Sequence, residues 1–245
     1  TKPMQSVSPQ YEAEEKITVN GNVDLYAVVF NRTTETDLTE DQLPQVDIYK
    51  YKQVIFVGDS RTEFMENVLT GMGESATKNV KFVCSAGKGL DWFTTTGWAQ
   101  LYSIVQHDSN SILSKKTAVI FNFGVNDLSK SADYAEYYNW IAPQLKSKGC
   151  ELYFMSVNPV NRLMLPNAGR ADRSEAAVRS FNQYMKANLS SAYTYIDMYS
   201  YLKSTGYSFA SDHYGTGTVD DGLHYTTRTY KRIFAKCMDS LRVPA

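Results

Sequence analysis

From residue 51 onward the chain alternates short, almost wholly apolar runs with longer stretches in which apolar positions recur every three or four residues. The runs cover 53–57, 80–84, 118–123, 152–157 and 193–196. None shows the strict apolar–polar alternation of a strand with one wet face. Each therefore predicts a strand buried on both sides, as in a mostly parallel sheet covered by helices. Five strands separated by helical segments predict an α/β fold.

Two of the intervening helices are well marked. Asp172, Arg173, Ser174 and Glu175 have the spacing of a capping box, and Val178, Phe181 and Met185 then fall on one face. At the C-terminal end Tyr230, Ile233, Phe234, Cys237, Met238 and Leu241 form one continuous stripe, which assigns Cys237 and Met238 to the core. Pro143 interrupts the pattern between Asn139 and Lys148, so a helix there is expected to start at or bend around it. Residues 158–171, with Asn158-Pro159 and Pro166-Asn167-Ala168-Gly169, read as a long loop of the kind that often carries function. Residues 1–50 are polar apart from one alternating run over 17–30, a strand or a hairpin through Asn20-Gly21-Asn22. This stretch has too little apolar content for its own core and is expected to be an N-terminal extension packed on a main domain spanning 51–245.

A chain of 245 residues with 43% hydrophobic content fits one sizeable core. Lys plus Arg number 25 and Asp plus Glu 26, so the overall field gives no attraction to nucleic acid or to an anionic membrane surface. The longest apolar runs fall far short of the roughly eighteen residues of a membrane span. Cys84, Cys150 and Cys237 cannot all pair within the chain and show no metal-ligand spacing, so a structural zinc is not expected. No cofactor is expected either. Asn31-Arg32-Thr33 and Asn188-Leu189-Ser190 satisfy the glycosylation pattern, which chance often produces. The chain opens on Thr1 and not on methionine, as a processed or trimmed protein would.

In an open parallel sheet, sites gather beyond the carboxyl ends of the strands. Directly after the first apolar run comes Gly58-Asp59-Ser60, followed by residues that begin to look helical. A hydroxyl at such a turn stands above the sheet, next to the free N–H groups of a first helical turn. Taken alone, Ser60 reads as an ordinary helix cap. The third run ends in Gly124-Val125-Asn126-Asp127, where an amide could donate to an oxyanion, though alone it reads as a turn. Asp221-Gly222-Leu223-His224 precedes the last helix. A serine nucleophile needs a base near neutral pH, and an aspartate three residues earlier can meet the imidazole across one turn. Asp212 and Asp220 are competing carboxylates, and His107, at the end of a helical stretch, and His213, in a loop, are the other two histidines.

Gly58-Asp59-Ser60, a glycine after the second strand, Gly124-Val125-Asn126-Asp127 and Asp221-Gly222-Leu223-His224 occur in the order of the SGNH (GDSL-like) hydrolase blocks, and the chain resembles that family over residues 53–240. The resemblance implies a three-layer, flavodoxin-like fold. It further implies that Ser60 attacks, that His224 relays the proton, that Asp221 supports it, and that the Ser60 N–H, a block-two glycine N–H and the Asn126 amide form an oxyanion hole. Gly89 is expected to be that glycine, with Gly87 in reserve; both equally fit tight turns. Two departures stand out: Arg61 replaces the leucine of the name motif, and Cys84-Ser85-Ala86-Gly87-Lys88-Gly89 lacks the usual leading asparagine. Arg61 is expected at the surface, ahead of the alternative that it reaches toward an acidic group of the substrate. There is no G-x-S-x-G, H-E-x-x-H, G-x-x-x-x-G-K-[ST] or G-x-G-x-x-G motif to support a competing reading. The expectation is an esterase of short acyl groups, first a carbohydrate O-acetyl esterase of the kind found among similar secreted bacterial proteins, acting outside the cell or in its envelope on a small or polysaccharide ester. A lipase or lysophospholipase, an O-acyltransferase and a silent carbohydrate-binding protein are the alternatives. Trp92, Trp98 and Trp140 are candidate stacking platforms for sugars.

Overall fold

Five strands, β1 (Tyr51–Gly58), β2 (Val80–Cys84), β3 (Lys116–Asn122), β4 (Cys150–Met155) and β5 (Tyr193–Ile196), form one sheet in the order β2-β1-β3-β4-β5. Every pairing is parallel. The structure is a computed structural model, and it describes residues 37–46, 50–109, 116–161, 165, 173–210 and 221–241, with the side chains of 107–109 excepted. The helices are α1 (Ser60–Met72), α2 (Leu90–Trp92), which continues through a π-turn at Phe93–Gly97 into α3 (Trp98–Ser109), α4 (Ser131–Ser147), α5 (Glu175–Asn188), α6 (Met198–Thr205) and α7 (Thr227–Ser240).

The period of two along β1 sorts its side chains between two cores. Ile55 and Val57 join Leu90, Phe93, Leu101, Tyr138, Leu145 and Phe181 beneath α2 to α5. Val54 and Phe56 join Met65, Leu69, Leu202, Ile233 and Phe234 beneath α1, α6 and α7. This is the expected three-layer α/β sandwich. The central strands β1, β3 and β4 are buried on both faces, which explains their apolar runs. The edge strands β2 and β5, expected to be buried likewise, expose Lys81 and Thr194 because each has a neighbour on one side only. After β1 the chain moves to one edge of the sheet, and after β3 it moves toward the other. The reversal opens a crevice between the carboxyl ends of β1 and β3, where such sheets place their sites.

The apolar stripe of α7 is buried as expected: Ile233 is 1% exposed, Phe234 and Cys237 are fully covered, and Met238 is 5% exposed. At about 1.5–3 kcal/mol for each large apolar side chain taken from water, this stripe fixes α7, and with it the segment just before α7, against the sheet. None of the three cysteines is in a disulfide.

Of the alternatives open at Pro143 the helix start is excluded, and the cap of α5 differs from expectation. Pro143 neither starts nor ends a helix but lies inside α4, which begins at Ser131. Tyr134, Tyr138, Ile141 and Leu145 bury one face of that helix on both sides of the proline, and packing there outweighs the lost backbone bond. The N-cap of α5 is Ser174, whose side chain accepts from the Ala177 N–H, and not Asp172, which lies outside the described residues. Of the N-terminal extension, residues 37–46 and Lys50 are described; Leu43 and Val46 are buried in the core beneath α1 and α7, and Asp37 pairs with Lys231 at 3.0 Å. The strand or hairpin expected over 17–30 lies outside the described residues.

Candidate active site

The first site residue is set by the end of β1. Gly58 has no room for a side chain: a Cβ there would stand 2.0 Å from Thr62 Oγ1 and 2.8 Å from the Asn122 carbonyl. The first turn of α1 therefore sits directly on the strand end. Asp59 is the N-cap, its carboxylate accepting from the Arg61 N–H at 3.0 Å, so the capping task does not fall to Ser60. Ser60 becomes the first helical residue with its hydroxyl available for another partner.

That partner is His224. Its Nε2 lies 2.8 Å from Ser60 Oγ, and its Nδ1 lies 2.6 Å from Asp221 Oδ2. The other carboxylate oxygen, Oδ1, accepts from the N–H groups of Leu223 and His224, both at 2.8 Å. One aspartate thus holds both the backbone and the ring of the histidine three residues later. Burial works to raise the Asp221 pKa, but the hydrogen bonds from the His224 ring and the two N–H groups outweigh it and hold the carboxyl well below its usual range. A carboxylate beside Nδ1 keeps the proton there, which leaves the Nε2 lone pair facing the serine hydroxyl. Ser60, Asp221 and His224 are all buried, and the Phe64 ring lies 4.8 Å from the imidazole. Behind the ring the chain is paired with 208–210: the Ala210 N–H donates to His224 O, and the Thr226 N–H to Ser208 O.

Gly58 stands in register with Cys84 of β2 and Asn122 of β3, which brings the loops after all three strands together. There Asn126 Nδ2 donates to Lys88 O at 2.8 Å, and its Oδ1 accepts from Arg173 Nη2 at 3.1 Å. Arg173 also donates to Val125 O. The amide is therefore oriented with its oxygen toward the arginine and its two-proton end toward the Lys88–Gly89 loop, one proton spent on Lys88 and one remaining. Asp127 accepts from the Leu90 N–H at 2.9 Å and from the Tyr134 hydroxyl at 2.8 Å, which ties the same two loops a second time. Burial raises the Asp127 pKa, and those two hydrogen bonds work against the rise.

The glycines separate clearly. Gly87 has φ +69° and open space around its missing side chain, so it serves a turn. At Gly89 a Cβ would lie 2.3 Å from Asp127 Oδ2, so this residue is glycine because the two loops touch. Among the described residues, neither the Ser60 nor the Gly89 N–H has an acceptor.

Arg61 is not at the surface. It is 3% exposed, and its guanidinium donates to three carbonyls: Nε to Leu223 at 2.9 Å, Nη1 to Asn158 at 2.8 Å and Nη2 to Pro159 at 2.9 Å. The carbonyls, freed where β4 gives way to a loop and where the chain turns into α7, need donors when buried, and the side chain is drawn inward to supply them. Of the other histidines, His107 lies in the last turn of α3, and His213, with Asp212 and Asp220, lies outside the described residues. Trp92 and Trp98 pack against the core, whereas Trp140 is 59% exposed. The roles of Arg61, Arg173 and Asp127 are not legible from the sequence; the replacement of the motif leucine by Arg61 is the one signal that marked a position of interest.

Residues 54–237 match the sequence profile of the family described as GDSL-like lipase/acylhydrolase. No curated protein sequence matches the chain. Among solved structures, a Slackia heliotrinireducens protein described as an SGNH hydrolase superposes with a TM-score of 0.53 at 13% identity, over 79% of this chain and 100% of that one. The acetyl xylan esterase AlAXEase superposes with a TM-score of 0.51 at 11% identity, over 78% and 100%. At these identities the likeness is one of fold.

Proposed function

The chain belongs to the GDSL-like lipase/acylhydrolase family, and from that premise we propose that it is a serine esterase working through an acyl-enzyme, with short acyl groups on a carbohydrate as its substrate. The observation that carries the reading is the unbroken hydrogen-bonded path from Asp221 through His224 to Ser60. In the proposed cycle Ser60 Oγ attacks the ester carbonyl as its proton passes to His224 Nε2. Asp221 stabilises the imidazolium and stays ionised throughout. The Ser60 and Gly89 N–H groups and the remaining Asn126 N–H receive the developing oxyanion. The imidazolium returns its proton to the departing alcohol. A water then repeats the attack on the acyl-enzyme, its proton taken by His224, and Ser60 Oγ is released with that proton as the acid forms.

Support for a small acyl group on a sugar is indirect: the likeness in fold to an acetyl xylan esterase and the exposed ring of Trp140 are compatible with it. Acetylated xylan and medium-chain p-nitrophenyl esters, offered side by side, test the acyl preference. Acetate release from the xylan, faster than turnover of the longer esters, is the expected result. Hydrolysis of p-nitrophenyl acetate with and without a sugar acceptor separates a hydrolase from a transferase: an acetylated sugar accumulating in place of acetate would overturn the hydrolase reading. No turnover of any ester would leave only a binding protein.

A further inference from the structure

Arg61 is a buried cation whose three guanidinium hydrogen bonds all go to backbone carbonyls on two other segments of the chain. One of those carbonyls belongs to Leu223 and is therefore the oxygen of the peptide whose N–H is that of His224. That N–H is held by Asp221 Oδ1 at 2.8 Å. The peptide leading into the histidine is thus pinned at both poles, by a carboxylate on one side and a guanidinium on the other. The guanidinium grows from the residue next to Ser60, itself held at its N–H by Asp59.

The other two bonds brace the clamp. Asn158 and Pro159 follow the end of β4, and their loop is held independently: Asn182 contacts both the N–H and the carbonyl of Val157, and Glu175 accepts from the Val160 N–H. The Tyr225 hydroxyl also donates to the Pro159 carbonyl, and the Tyr225 ring lies under the guanidinium at 5.2 Å. A planar fork with fixed donor directions can serve three carbonyls at once; a lysine ammonium, a point charge on a flexible stem, cannot hold them in the same geometry.

We infer that Arg61 is a positioning residue for the reaction, fixing the distance between Ser60 and His224 by bridging the nucleophile's helix to the histidine's own peptide. The inference rests on the reading of those two residues as nucleophile and base. Its consequence is specific: loosening the clamp degrades the attack geometry more than substrate binding. A displacement on the order of 1 Å at reacting groups can cost about a hundredfold.

The test compares the full chain carrying Arg61→Lys, Arg61→Gln or, as a control for lost stability alone, Leu145→Ala. Leu145 is fully buried in the core under α4, on the helix turn that precedes β4 at the far end of the sheet. Each is assayed on p-nitrophenyl acetate well below its own unfolding temperature, and the rate of fluorophosphonate labelling is measured alongside. The expected result is a fall in kcat of roughly ten- to a hundredfold for both Arg61 variants with KM within about twofold, a labelling rate that falls in step, and an undiminished kcat for Leu145→Ala. Folded Arg61 variants with wild-type kcat and labelling rate would overturn the inference. So would failure of both to fold, which would assign Arg61 to the fold alone. A wild-type protein labelled elsewhere than Ser60 would instead refute the nucleophile assignment, an outcome readily told apart from these.

Discussion

Replacing Asp221 by asparagine changes one atom and sets two demands against each other. In the native site Oδ1 accepts two backbone N–H groups, from Leu223 and His224, while Oδ2 faces His224 Nδ1. If the new carbonyl keeps the backbone bonds, its NH2 faces Nδ1. The ring must then present a lone pair there and carry its proton on Nε2, so it can no longer accept from Ser60. The flipped amide restores the right tautomer but turns its NH2 toward two N–H donors. Leaving two buried donors unpaired costs about 1–3 kcal/mol each, hence about 2–6 kcal/mol for the flip. At about 1.4 kcal/mol per factor of ten, the competent tautomer becomes roughly thirtyfold to twenty-thousandfold scarcer. We predict that Asp221→Asn lowers kcat on p-nitrophenyl acetate by about that range, leaves KM within a few-fold and does no better than Asp221→Ala. A folded Asp221→Asn enzyme, verified by its thermal unfolding, that retained more than about a third of wild-type kcat would refute the reasoning.

Other consequences follow from the same geometry. Asn126→Ala is expected to lower kcat by about a hundred- to a thousandfold, the usual cost of one oxyanion donor, and an effect confined to KM would remove it from that role. Gly89→Ala must push its methyl into Asp127 and should cost activity, whereas Gly87→Ala, strained only by its positive φ, should cost about 1 kcal/mol in a denaturant titration and spare kcat. Equal activity losses in the two would contradict the assignment of Gly89. Burial raises the Asp59 carboxyl from 3.8 to about 7, with the Arg61 N–H and the charge of Arg61 opposing the rise. The native state therefore holds this proton more tightly than the unfolded chain. Its contribution to stability is fully present below the ordinary carboxylate value and is lost as pH rises toward 7, by at most about 4 kcal/mol. Asp59→Asn, which keeps the cap, should flatten that dependence between pH 4 and 7 in urea titrations; an unchanged slope would count against it.

How much of this could be read from the sequence depended on whether a residue's task is local. The central strands were legible because burial on both faces leaves mostly apolar residues in them, and α7 because one face of a helix repeats at three and four. Asp221 and His224 were legible because their bond spans a single turn. Arg61 was misread because a charge next to a strand end looks solvent-facing until the topology brings Leu223, Asn158 and Pro159 around it. The same holds for Arg173, whose partner Asn126 lies 47 positions away. At Pro143 the sequence left a helix start or a bend open, and the packing of Tyr138 and Leu145 on either side, which is not a local quantity, is what carries α4 through it. Gly87 and Gly89 look alike in the sequence; coordinates separate them by the positive φ of Gly87 and the contact of Gly89 with Asp127.

Covalent capture tests the central assignment most directly. A fluorophosphonate probe, followed by digestion and peptide mass spectrometry, should place its adduct on Ser60 in the wild-type protein and yield none in Ser60→Ala, which should also lose ester turnover. An adduct on any other residue, or a Ser60→Ala protein that hydrolyses p-nitrophenyl acetate at the wild-type rate, would contradict it.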